Sequence, residues 1–173
     1  MFGLTPLGSV HTLIALVALV AGFGAIVRDG RIGTDDALSR TYIWTTVLTC
    51  LTGFGIFQHG GFGVPHALGI VTLAVVGLAL WPGGSRWFGG LWRYVPTVAL
   101  SLTLFFHLIP GATETFTRLP AGRPLFSGPE DPALQKVVGL LFLLFLAGAA
   151  LQVWWLRGQS QRKAPVGATR DAR

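Results

Sequence analysis

Leu7 to Val27 reads LGSVHTLIALVALVAGFGAIV, and this stretch decides the fold. It contains no Asp, Glu, Lys or Arg, and it meets the roughly 20 residues that a helix needs to cross a ~30 Å hydrocarbon core. It has no positive leading region, and its apolar run is longer than the core of a secretory signal, so it reads as a retained helix. Four further apolar segments follow, at Leu38 to Phe57, His66 to Leu80, Tyr94 to Ile109 and Val137 to Leu156. The second and fifth also meet the spanning length. The third and fourth reach it only with interfacial neighbours such as Pro65, Trp81 and Arg93, as expected of helices that stop inside a bilayer at a sheltered site.

The expectation is an all-α integral membrane fold of five transmembrane helices, the first four forming a bundle and the fifth packed alongside. Residues 1–157 make one transmembrane domain, and 158–173 a polar, basic cytoplasmic tail. Composition agrees. The 173 residues are 51% hydrophobic and 12% charged, with a mean hydropathy of +0.62, whereas a soluble domain carries about a quarter charged residues. A soluble protein, a disordered chain and a nucleic-acid module are excluded on this ground. The single cysteine, Cys50, excludes a disulfide scaffold and a zinc site built on thiolates. The lipid bilayer is the expected surrounding, with a homo-oligomer or a larger membrane complex left open.

The net charge of +6 serves orientation. Ten basic residues fall on one side: Arg28, Arg31, Arg40, Arg86, Arg93, Arg157, Arg162, Lys163, Arg170 and Arg173. Three, Arg118, Arg123 and Lys136, fall on the other. Basic residues stay inside, so the N-terminus is expected outside and the C-terminus inside, in a bacterial inner membrane. All six tryptophans lie at or near the inner ends, where amphipathic rings anchor. Gly60-Gly61-Phe62-Gly63-Val64-Pro65 reads as a tight hairpin making the second and third helices antiparallel neighbours. The long connection from Pro110 to Lys136 reads as an extended outer loop, since loops of this length are commonly functional.

This topology puts all four histidines at outer helix ends: His11, His59, His66 and His107. His107 lies about 21 Å of helix rise past Arg93 and His11 about 25 Å before Arg28, so both sit below the surface. Ionisable groups there are functional candidates facing the bundle interior. His11, Ala15, Ala18 and Gly22 share a small-residue stripe suited to close packing; His59 continues the face of Thr45, Thr49 and Thr52; His107 shares a face with Thr103. Imidazoles without thiolates suit zinc, copper or iron. Glu114, just past Pro110-Gly111, could add a carboxylate ligand, orient an imidazole or act as a base; paired with Arg118 it is instead a solvated loop residue. Haem b between two facing histidines is the competing ligand, with Gly53 and Gly55 leaving room for the macrocycle. With neither ligand, the histidines are interfacial caps and the chain is an accessory or structural subunit. No nucleophile elbow, phosphate-binding loop or H-E-x-x-H is present, so whether the chain is an enzyme stays open.

His11-Thr12-Leu13-Ile14, the charged first connection and Leu38-Ser39-Arg40-Thr41-Tyr42 together resemble a family of bacterial multi-pass membrane proteins of unassigned function, over roughly the first two thirds of the chain. That family carries a His-Arg pair where this chain has Ser39-Arg40. The resemblance implies a membrane location and no particular activity. The paired-histidine pattern also resembles transmembrane b-type cytochromes, although no inner-side histidine is present for a second haem.

Overall fold

The computed structural model describes residues 5–57 and 61–162, with backbone only for residues 160–162. It is all-helical: α1 (Pro6–Asp29), α2 (Ala37–Gly53), α3 (Val64–Ala79), α4 (Gly84–Phe88), a 3-10 turn (Gly89–Arg93), α5 (Val95–Arg118) and α6 (Pro132–Arg162). Among the described residues there is no strand. α1, α5 and α6 (over Pro132–Gln159) are long and apolar enough to cross a membrane. α3 and the α4 segment pass that test only as a pair, bent by 83° at their junction. α2 is 17 residues long, about 26 Å of rise, shorter than expected. It ends at Gly53, where the chain tightens into Gly55 N–H to Thr52 O and Ile56 N–H to Gly53 O turns.

Each helix start follows from local chemistry. Thr5 caps α1 by accepting from Gly8 N–H, ahead of Pro6 in the first turn. Asp36 caps α2, accepting from Leu38 and Ser39 N–H at 3.0 and 3.1 Å. Gly63 N–H donates to Nδ1 of His66 at 3.2 Å, closing the start of α3. At α6 the carboxylate of Asp131 accepts from Ala133 N–H at 2.8 Å. α1 stops at Gly30, whose left-handed φ of 71° suits glycine.

α1 packs on α2, α2 on α3, α3 on α5, and α5 returns to α1, closing a ring; α6 lies outside it, against α5. The core joins Ala18, Ala21 and Ala25 of α1 to Tyr42 and Ile43 of α2, Val76 and Ala79 of α3, and Ala99, Leu100 and Leu104 of α5. Gly22 shows why small residues line α1: a Cβ there would lie 2.9 Å from both Leu104 Cδ1 and Tyr42 Cδ2. The α6 ring contacts are Phe142 and Phe145 on Phe105, with centroids 5.5 and 5.9 Å apart. Gln152 pins α6 by accepting from Ser101 Oγ (2.9 Å) and donating to Gly30 O (3.1 Å).

Two expectations change. The helix of the fourth segment does not end at Ile109 but runs through Pro110 to Arg118. Hydroxyls stitch the continuation, Thr113 donating to Ile109 O and Thr117 to Thr113 O, as apolar helices tolerate an internal proline. The outer loop therefore shrinks to residues 119–131 and is tied back, with Phe126 N–H bonded to Phe116 O and the two rings edge to face. The helix of the fifth segment likewise starts at Pro132 and continues to Arg162, so the expected tail opens as helix; residues 163–173 lie outside the described residues.

Candidate functional site

α2 and α5 run parallel with a constant offset. Tyr42 Oη bonds Thr103 Oγ1 at 2.6 Å and His107 Nε2 bonds Thr46 Oγ1 at 3.0 Å, both pairs 61 residues apart. Donors and acceptors order themselves along this ladder. Thr103 donates its only hydroxyl proton to Leu100 O (2.8 Å), so the Tyr42 phenol donates to Thr103. Thr46 Oγ1 is the partner of His107 Nε2, and which of the two donates follows the imidazole tautomer. Tyr42 and Thr103 are fully buried and His107 is 7% exposed.

His11 repeats the arrangement from α1. Its Nδ1 lies 3.1 Å from Thr52 Oγ1, and Thr52 already donates to Leu48 O (2.8 Å). His11 therefore donates from Nδ1 and keeps its lone pair on Nε2. A Cβ on Gly53 would lie 3.2 Å from the His11 ring, and one on Gly55 would lie 2.9 Å from Leu7. The space those glycines leave is taken up by His11 and Leu7.

The histidines are not at one depth. Thr46 and Thr52 are six residues apart on α2, so His107 lies about 9 Å deeper than His11. The reason is the longer α5, which makes His107 a mid-helix residue. The same offset of 61 puts Glu114 level with Gly53, at the height of His11, and His11 is within electrostatic range of both Glu114 and His107. Glu114 itself pairs with Arg118 one turn on.

His66 stands apart. Its ring is stacked between Phe57 and Phe62, with centroids 5.1 and 5.2 Å away. Nδ1 accepts from Gly63, and Nε2 is buried without a hydrogen-bond partner. His59 lies outside the described residues. Among the described residues no three His, Cys, Asp or Glu side chains come together closely enough to hold a metal ion. The three described imidazoles do not converge on one ion: His11 and His107 face α2, while His66 is enclosed by phenylalanines.

Tyr42, Thr46 and Gln152 are hydrogen-bonding partners the sequence reading passed over, and Thr52, read there on the face of His59, meets His11. The available signal was spacing: Tyr42 and Thr46, and Thr103 and His107, are each four apart, the interval that aligns residues on a helix face.

Models of known protein families, curated proteins and solved structures were compared with the chain, and none matches.

Proposed function

We propose that the chain is a multi-pass protein of the bacterial inner membrane, with five spans, N-terminus outside, and a transition-metal site at the outer end of the bundle. Two spans depart from ideal length, α2 by its early end and α3 by its elbow. Both departures suit helices whose ends are sheltered by protein. The bacterial assignment rests on the family resemblance given above. The candidate ligands are His11, His107 and Glu114, with His59 and His66 as the remaining ones, and the described groups must draw together to hold an ion.

One observation carries the site: His11 and His107 each bond one ring nitrogen to an α2 threonine. That is how ligating histidines are oriented, their second nitrogen donating to a fixed acceptor. Glu114 would exchange Arg118 for the ion. The occupied space beside Gly53 and Gly55 favours a bare zinc, copper or iron ion over haem b.

Elemental analysis and an absorption spectrum of the purified protein test this. The expected result is bound transition metal, no Soret band, and loss of metal in both His11→Ala and His107→Ala. A Soret band lost in the same variants replaces the ion by haem. Neither metal nor haem leaves the second reading, an accessory subunit, which the wide separation of the described ligating groups favours. The histidine–threonine bonds then serve only to join helices.

A further inference from the structure

At the opposite end of the bundle the α1–α2 turn and the end of α6 enclose an open cavity of about 600 Å³, lined by Arg28, Arg31, Asp35, Asp36, Trp155 and Gln159 among others. Gln152 sets this wall: bonded to Gly30 O, it brings Trp155 and Gln159, one and two turns later, over the turn. We propose that this cavity binds the headgroup of a phospholipid that carries both a phosphate and a primary ammonium, as in phosphatidylethanolamine. The proposal rests on the membrane reading above and is independent of the metal site.

The charges select the headgroup. Arg28 is consumed by Asp29 and Asp36. Among the described residues Arg31 makes no ion pair, and Asp35 accepts only from the Thr34 hydroxyl, at 3.0 Å. One guanidinium and one carboxylate are left for a ligand. A guanidinium recognises phosphate through its planar fork of donors, and a carboxylate accepts from an ammonium N–H. A quaternary choline has no such proton to give. A headgroup with the phosphate alone, such as phosphatidylglycerol, brings no cation to a lining whose two arginines face three aspartates, Asp29 included, and leaves Asp35 unpaired. The lipid origin follows from the surroundings. Val27 is 86% exposed beside Arg28, and Trp154 is 75% exposed beside Trp155. Acyl chains leaving the cavity would meet apolar side chains on both α1 and α6, with the indoles at headgroup level.

Retention in carbonate-washed membranes first checks the membrane reading by itself. The headgroup is then tested by native mass spectrometry of the detergent-solubilised full chain, titrated separately with dioleoyl phosphatidylethanolamine, phosphatidylcholine and phosphatidylglycerol. The ethanolamine lipid should bind about fivefold more tightly than the other two, the size of one solvent-exposed ion pair. Arg31→Ala should weaken all three, and Asp35→Asn should abolish the preference over phosphatidylglycerol. Arg123→Ala, in the loop at the other end, should change nothing. Equal binding of the three lipids by the wild-type chain overturns the proposal, whatever the variants do. So does undiminished selectivity in a folded Asp35→Asn protein. Soluble glycerophosphoethanolamine should compete poorly; binding as tight as the lipid's would overturn the lipid assignment in favour of a water-soluble ligand.

Discussion

Gly22 and Gly77 look alike in the sequence and differ in the structure. A methyl group at Gly22 would press on Tyr42 and Leu104, whereas one at Gly77 meets nothing within 4 Å. Gly22→Ala should therefore cost about 1–3 kcal/mol through overpacking, and Gly77→Ala should be neutral or gain up to about 1 kcal/mol of helix propensity. Thermal unfolding in detergent, followed by circular dichroism, reads both. The buried polar residues divide in the same way. Thr46→Val removes the hydrogen-bond partner of His107 and should cost about 1 kcal/mol, the usual worth of an interhelical hydrogen bond in an apolar bundle. His66→Phe removes an Nε2–H that has no partner, and this offsets the lost bond to Gly63. Its stability should stay within about 1 kcal/mol of wild type. A steep loss would mean that Nε2 is satisfied in solution.

At the scale of elements, the start of α2 titrates. The Ser39 side chain and backbone N–H hold the Asp36 carboxyl well below the usual carboxylate range, with Arg28 adding to the effect. A carboxylate with a depressed folded pKa stabilises above its unfolded value of about 3.9 and loses that contribution as pH falls toward the folded value. Asp36→Ala should cost about 1 kcal/mol at neutral pH. Asp36→Asn keeps a neutral cap, so the gap between it and wild type should be widest at neutral pH and narrow below pH about 4. Melting temperatures measured across that range check the sign. Elements were also where the sequence was most legible. Long runs such as 7–27 and 137–156 announced their helices because nothing charged interrupts them. Pro110 misled, because its break in the local pattern is repaired by Thr113 and Thr117, whose effect appears only once the helix is built. α2 appeared long because Phe54, Ile56 and Phe57 are apolar, yet two glycines turn the backbone there.

For the molecule as a whole, topology is the property most exposed to test. A cytoplasm-dependent reporter fused after Arg173 should be active, and one inserted at Ser127 should be silent, with the reverse for a periplasm-dependent reporter. Both positions reporting the same side would mean that α3 and the elbow at Gly84–Arg93 form a re-entrant pair and not a span. The placing of the histidines was legible in part. Residue type and sidedness picked out His11 and His107, and both do turn into the bundle. Their mutual depth was not legible, because it depends on how far α5 continues and on the register between α2 and α5.

That register has a mechanical side. The rungs between α2 and α5 repeat every four residues on both helices, so sliding α5 by one turn, about 5.4 Å, carries each polar group to the next position. In one direction Thr46 would meet Thr103 and Cys50 would meet His107, trading a hydroxyl for a thiol while keeping a polar contact at each step. The polar ladder alone thus resembles a rack whose teeth engage at more than one setting, the geometry that one-turn ratchets between packed elements exploit. What fixes the setting is the notch at Gly22, which receives Tyr42 and Leu104 together. Filling that notch, as Gly22→Ala does, presses on the contact that holds the setting.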